Sequence, residues 1–160
     1  MKALVIYDSA YGNTEEVAKV VGRALGEGTR IERVGDADWD DLKQYELVVV
    51  GSPTQAGRPT PAVKAFLKNI PAGSLKGVEV SGFDTRIDSQ AQGFMLRTFM
   101  GFLGYAAGRI ARQLEAKGGR LVKQPHGFFV QDKEGPLSEG ELERAADWAS
   151  SIARAKVSSE

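Results

Sequence analysis

Residues 5–21 read VIYDSAYGNTEEVAKVV. A continuous apolar run ends at Asp8, a corner of hydroxyls, amides and one glycine follows, and the apolar residues then return at helical spacing. Val17, Ala18, Val21, Ala24 and Leu25 share one helix face, whereas an uninterrupted run such as Ala3 to Tyr7 fits a strand covered on both sides. Asn13 is placed to cap the helix and Glu16 to complete a capping box. A helix that starts at such a corner offers unpaired N–H groups and the positive end of its dipole to an anion. No Lys or Arg lies between Val5 and Val17. The donors are therefore neutral: the hydroxyls of Ser9 and Thr14, the amide of Asn13, and backbone made approachable by Gly12. The stretch lacks the Gly-Lys-Ser/Thr ending of a nucleoside-triphosphate loop and the Gly-x-Gly-x-x-Gly of a dinucleotide fold. It suits a phosphate monoester. The plain alternative is an ordinary capped helix after a turn.

The pattern repeats along the chain. ELVVVGS (46–52) is a second continuous apolar run, and TRIERV (29–34) alternates like an edge strand. GVEVSGFD (77–84) and GGRLVKQ (118–124) are further strand candidates, although nothing in the sequence accounts for Glu79 inside the first of them. TPAVKAFLKNI (60–70) reads as a helix capped by Thr60 with Pro61 in its first turn. Ala107, Ile110, Ala111 and Leu114 mark another, ended by Gly118-Gly119. A last helix follows Ser138, with Glu141 three residues on and a stripe from Leu142 to Ala153. Gly35 to Tyr45 reads as a connection with one helical turn. Strands alternating with helices predict an α/β fold: a three-layer sandwich with a five-stranded parallel sheet and helices on both faces. The whole chain, residues 1–160, is expected to form one domain.

Composition narrows the function classes. The 160 residues carry 21 basic and 21 acidic side chains, a balance of zero. That argues against nucleic acid or an anionic membrane as the main partner. With no cysteine, disulfides, thiol catalysis and Cys-based metal sites are excluded. The apolar run before Asp8 is too short for a signal-peptide core, and no stretch reaches the roughly 20 apolar residues of a membrane span. A cytoplasmic protein is expected.

Two further loops leave the C-terminal ends of strands: GSPTQAGRPTPAV (51–63) and FDTRIDSQAQG (83–93). In an open parallel sheet, ligands bind at those ends where the strand order reverses. SAYGNT followed by VVVGSPTQAGRP resembles the flavodoxin-like FMN-binding proteins, over essentially the whole chain from Lys2 to about Ala155. The resemblance implies sheet order 2-1-3-4-5 and a non-covalent FMN at the switch point. It implies that Ser9, Ala10, Tyr11, Gly12, Asn13 and Thr14 cradle the phosphate. Pro53, Thr54, Gln55, Ala56 and Gly57, with Phe83, Asp84, Thr85 and Arg86, would flank ribityl and isoalloxazine, and the Gly57 peptide could turn to meet the reduced ring. Tyr11 stands at the middle hydroxyl position, as in some reductase branches. The second loop offers no aromatic, and its one cation, Arg58, is expected to favour the reduced, anionic flavin.

The implied function is electron transfer through FMN, with redox partner proteins or small electron acceptors as partners. The alternative is an FMN-dependent NAD(P)H reductase acting on quinones or similar acceptors. A phosphorylation-dependent receiver shares the strand order but needs an acceptor Asp where this chain has Gly51-Ser52-Pro53. Asp36 to Asp41 resembles a calcium loop only superficially, since Asp41 replaces the sharp-turn glycine and Leu47 the last glutamate. His126 reads as a structural or solvated loop histidine rather than a catalytic one. The apolar segment 93–108 reads as an extra packed helix or, more sharply, as a homodimer interface or a flap.

Overall fold

The computed structural model describes residues 1–88 and 104–158. Strands β1 (Ala3–Tyr7), β2 (Thr29–Arg33), β3 (Leu47–Pro53), β4 (Glu79–Ile87) and β5 (Arg120–Leu121) pair in parallel, in the order β2-β1-β3-β4-β5. This is the expected order. The position beyond β4 is shared by two strands. β5 (Arg120–Leu121) pairs with Glu79 and Val80, and β6 (His126–Val130) pairs with Phe83 to Ile87. The strand expected at 118–124 is thus two residues long, and a sixth strand not foreseen in the sequence continues the edge. Between them the Ser81 hydroxyl donates to the Lys123 carbonyl at 2.9 Å, and Pro125 brings no N–H to a ladder.

Helices α1 (Asn13–Leu25) and α4 (Glu141–Ser158) cover one face; α2 (Pro61–Asn69) and α3 (Ala106–Ala116) cover the other. The division follows the two-residue alternation of the strands. Ala3, Val5 and Tyr7 of β1 face α1 and α4, with Val49, Phe83, Phe128, Trp148 and Ile152. Leu4 and Ile6 face α2 and α3, with Val48, Val50, Leu67, Val80 and Ile110. Both faces of β1 and β3 are buried, which explains their unbroken apolar runs, whereas β2 lies at an edge and is largely exposed. The connection at 35–45 holds two 3-10 segments, Val34–Asp36 and Trp39–Gln44, and Leu42 and Trp39 pack onto the α2/α3 core.

Glu79 now has an account. It is buried where β4 begins, paired with Arg120 on β5, while Lys156 of α4 brings its Nζ to 3.8 Å. Two helix starts differ from expectation. α1 is capped by Gly12 in the left-handed region (φ 94°), and Ser9 Oγ accepts from the amides of Gly12 and Glu15 at 3.0 and 3.4 Å. Asn13 instead donates its side-chain N–H to the Glu134 carbonyl at 3.2 Å. The backbone N–H of Glu141 donates to the Ser138 carbonyl at 3.2 Å, but its side chain does not reach back to the Ser138 amide. Its Oε2 accepts the Phe129 amide at 2.6 Å and its carboxylate is gripped by Arg144. Of the apolar segment 93–108, residues 93–103 lie outside the described residues, and Ala106 to Gly108 open α3.

Candidate functional site

A cleft of about 460 Å³ opens at the C-terminal ends of β1, β3 and β4, within the roughly 300–1,000 Å³ typical of cofactor pockets. Ser9, Ala10, Tyr11, Asn13 and Thr14 line it from the first loop, Pro53, Thr54 and Gln55 from the second, and Thr85, Arg86 and Ile87 from the end of β4. Val130 and Lys133 complete the wall.

The first loop is shaped before anything binds. Asp8, just past β1, accepts from the Ser9 amide at 3.0 Å and from the Thr60 hydroxyl at 2.6 Å. It thereby ties the first loop to the cap of α2. Thr60 Oγ1 in turn accepts from the Val63 amide, as its sequence position predicted. Arg33, from the end of β2, donates to the Ser9 carbonyl at 3.3 Å and lies 3.7 Å from Asp8 Oδ1. The amides of Asn13 and Thr14 stand in the first turn of α1, where the helix provides no acceptor. Glu15 lies beside them, its carboxyl held below the ordinary range by the Tyr7 hydroxyl and Lys19. The buried hydroxyls of Thr14 and Thr85 are 2.7 Å apart and join the first loop to β4.

The second and third segments are fastened to the start of α3. Thr54 Oγ1 accepts from the Ala106 amide at 3.1 Å, and Asp84 Oδ2 accepts from the Ala107 amide at 2.9 Å. Two distant side chains thus cap a helix whose own preceding residue, Tyr105, provides no side-chain cap. Asp84 is fully buried and holds the Arg86 guanidinium by two bonds, Nε–Oδ1 at 2.7 Å and an η nitrogen to Oδ2 at 2.8 Å. That guanidinium lies 3.6 Å from the Tyr105 ring centroid, and a side chain on Gly127 would collide with it. Arg86 is consequently fixed in one pose against the cleft.

The expected residues do not all meet. Phe83 is fully buried on the α1/α4 side, edge-on to Phe128 and Trp148 at centroid distances of 6.3 and 6.1 Å, with its ring filling the space a side chain on Gly51 would need. It does not line the cleft. The reason is that β4 runs on to Ile87, so residues 83–86 alternate between faces rather than forming a loop with one inner side. Asp84 acts through Arg86 and α3 rather than at the cleft surface. Gly12 is the helix cap beneath the lining. Ala56 and Gly57 are the two central residues of a tight turn between Gln55 and Arg58, both at positive φ (50° and 79°), and neither lines the cleft. The Gly57 carbonyl is held by Arg109 Nε at 3.0 Å. Arg58 faces away from the cleft, into a separate groove beside α2. Ile87, Val130 and Lys133 were not anticipated. The run Gly127-Phe128-Phe129-Val130 was the available signal, since its apolar character marks the strand that brings Val130 to the cleft.

The donor set fits a planar cofactor with a phosphate tail. Hydroxyls, side-chain amides and helix-terminal N–H groups are gathered at the first loop, and Pro53, Ile87 and Val130 give apolar contact elsewhere. Lys133 and Arg86 add positive charge, so the site is not made of neutral donors alone. Among the described residues no cluster of carboxylates and histidine suits a metal ion, and no helix is long and apolar enough to cross a membrane.

A sequence model of the flavodoxin family matches residues 5–148. The chain belongs to the flavodoxin family. It is 38% identical over 85 residues to a flavodoxin of Aquifex aeolicus, a match covering 51% of this chain and 45% of that one. It is 31% identical over 100 residues to an NAD(P)H dehydrogenase (quinone) of Cupriavidus metallidurans, covering 48% of this chain and 50% of that protein. These matches span about half the length of the curated relatives. Among solved structures, a flavodoxin from the domain Archaea superposes with a TM-score of 0.73 at 21% identity, covering 98% of this chain and 99% of that one. At that identity the likeness speaks for the flavodoxin fold alone.

Proposed function

We propose that residues 1–160 form a single FMN-binding domain that carries electrons between redox partner proteins or small electron acceptors. The observation behind this reading is the convergence of three strand-end segments on one cleft whose first wall is a helix N-terminus with hydroxyl and amide donors. FMN, when bound, supplies the ring system that accepts and releases electrons. In this reading Ser9, Asn13, Thr14 and the backbone from Ala10 to Thr14 hold the phosphate. Lys133 adds long-range attraction to it, and Pro53, Thr54, Gln55, Thr85 and Arg86 border the ribityl and ring. Gly12 serves by its backbone, Ala56 and Gly57 by the shape of their turn, and Asp84 by fixing Arg86. Cytoplasmic location and a homodimer through 93–108 belong to the same proposal, and cell fractionation and light scattering test them.

Titration of the purified chain with FMN, read as quenching of flavin fluorescence and a shifted visible spectrum, tests the central claim. Saturable binding of one FMN per chain is expected, with riboflavin much weaker. A colourless protein that leaves the spectrum of added FMN unchanged overturns it. The similarity to a quinone-reducing dehydrogenase supports a second reading, an FMN-dependent NAD(P)H reductase. Loss of pyridine absorbance when NAD(P)H is mixed with the FMN-loaded chain and a quinone distinguishes an enzyme from a carrier.

A further inference from the structure

A second concavity, of about 230 Å³, lies between α2 and α3 and borders the turn that follows the cleft's second wall. Arg58, Lys64, Lys68 and Arg109 line it around a floor that includes Pro59 and Leu67. No carboxylate is among its described lining residues. The chain as a whole has equal numbers of acids and bases, so four cations without an acid in one groove is a local concentration of charge. α2 contains no acidic residue at all, and Lys64 and Lys68 stand one turn apart on its exposed side. Among the described residues, no carboxylate forms an ion pair with Arg58, Lys64 or Lys68. Residues 89–103, which precede α3 in the chain, contain one charged side chain, Arg97, and no acidic one.

The groove is also connected to the cleft. Gln55 lines the cleft and Arg58 lines the groove, at the two ends of the same two-residue turn. Arg109 lines the groove and donates Nε to the Gly57 carbonyl in that turn. A body seated in the groove therefore rests against the outer wall of the cleft.

From this juxtaposition we infer that the α2/α3 groove is the docking surface for an acidic face of an electron-exchange partner protein. Opposed potentials steer encounter and set orientation, and Pro59 and Leu67 supply apolar contact inside a charged rim. A rim of long cationic side chains around a small apolar floor fits a protein surface that contributes only a few side chains to it. In the docked pair, one electron leaves the partner's redox centre as the ring system in the cleft takes it up, or the reverse. The electron-transfer part of this inference rests on the FMN reading above; the docking part does not.

A gold electrode coated with a carboxylate-terminated monolayer serves as the acidic face. Adsorbed mass and the voltammetric wave of the FMN-loaded protein are recorded together, for wild type, for Lys64→Glu with Lys68→Glu, and for Arg23→Glu with Arg154→Glu on the opposite helix layer. The two double variants change net charge equally. The expectation is that the α2 variant loses adsorption affinity by about tenfold or more and its wave slows accordingly. The control variant should stay near wild type, with wild-type adsorption weakening as salt is raised. Equal losses in both variants, or none in either, overturn the groove as the docking surface. Displacement of the adsorbed protein by NADPH but not by NADH, at equal ionic strength, also overturns it in favour of a phosphate-bearing nucleotide. If FMN does not bind, every variant lacks a wave while the adsorbed mass still reports on docking, so failure of the cofactor reading is told apart from failure of this one.

Discussion

The hydroxyls of Thr14 and Thr85 lie 2.7 Å apart, both buried, and connect residues 71 positions apart in the chain. One stands in the first turn of α1 and the other near the C-terminal end of β4, so this bond sets the spacing of the first and third walls of the cleft. Only one of the two protons is used between the pair. The other is left to point at a further acceptor, and Thr14 and Thr85 both line the cleft. Thr14→Val removes one hydroxyl and leaves Thr85 with a buried, unmatched one. The expected outcome is a loss of about 1 kcal/mol of stability in the ligand-free protein. FMN should weaken by about one to two decades, against little change for riboflavin. Denaturant titration and parallel flavin titrations measure both. Equal weakening of the two flavins would make Thr14 a brace of the loops and not a phosphate ligand.

The buried Asp84 carries more. It joins Arg86, the Ala107 amide and, through them, the start of α3. Taking one partner out of a buried ion pair leaves the other charge uncompensated and costs about 3–5 kcal/mol. Asp84→Ala should therefore lower stability by about 3 kcal/mol, since Arg86 keeps some exposure and can reach water. Thermal and urea unfolding measure it. Asp84→Asn should lie between, because it can still accept from the Ala107 amide.

Much of this architecture was legible in the chain, and for identifiable reasons. The unbroken runs at Ala3 to Tyr7 and Leu47 to Val50 could only be central strands, because both their faces meet helices. Thr60 could be read as a cap because Pro61 fixes the first turn behind it. What escaped reading depended on partners far away in sequence. Asn13 looked like a cap, but the left-handed Gly12 took that place and Ser9 took the amides. Phe83 looked like a ring neighbour because Asp84 reads as the end of the strand, whereas β4 runs on to Ile87 and its alternation buries Phe83. Val130 and Lys133 reach the cleft on a strand and loop whose start, Pro125-His126-Gly127, resembles a turn.

Lys133 is the exposed cation that the sequence reading did not place. It lines the cleft, and no carboxylate among the described residues pairs with it in the ion pairs found. Its attraction for a phosphate acts through solvent and is worth about 1 kcal/mol or less. Lys133→Glu should weaken FMN by about fivefold to tenfold, and the difference from wild type should shrink as salt is raised. Fluorescence titrations at two ionic strengths test this. A salt-independent effect would mean that the substitution disturbs the 131–137 loop itself.

The last prediction concerns acid stability at the far edge of the sheet. His126 packs against Phe128 and Trp148, and its Nε2 faces a guanidinium nitrogen of Arg144. Burial pushes its pKa below the ordinary value, and the charges of Arg144 and Arg86 push the same way against the opposing pull of Glu141 and Asp84. The folded protein thus holds His126 neutral at a pH where an unfolded chain, with a histidine pKa of about 6.5, already takes up a proton. In that window the unfolded state binds more protons, so stability falls as pH drops below about 6.5. Glu141 behaves differently. Burial raises its pKa, but the Arg144 bonds and the Phe129 amide outweigh that and hold it below the ordinary carboxylate range. Its contribution is complete above the unfolded value of about 4.3 and is lost as pH falls through the folded one. The two groups therefore begin to act at different pH values, His126 below about 6.5 and Glu141 below about 4.3. His126→Gln keeps an acceptor for Arg144 but cannot titrate, and it should flatten the decline that begins below about pH 6.5 while leaving the loss that comes from Glu141. Glu141→Gln should do the reverse, lowering stability at neutral pH and removing part of the acid limb. Urea unfolding across pH for the three proteins measures both effects. A wild-type curve that stays level below about pH 6.5 would show that His126 is hydrated in solution and not held neutral by its aromatic neighbours.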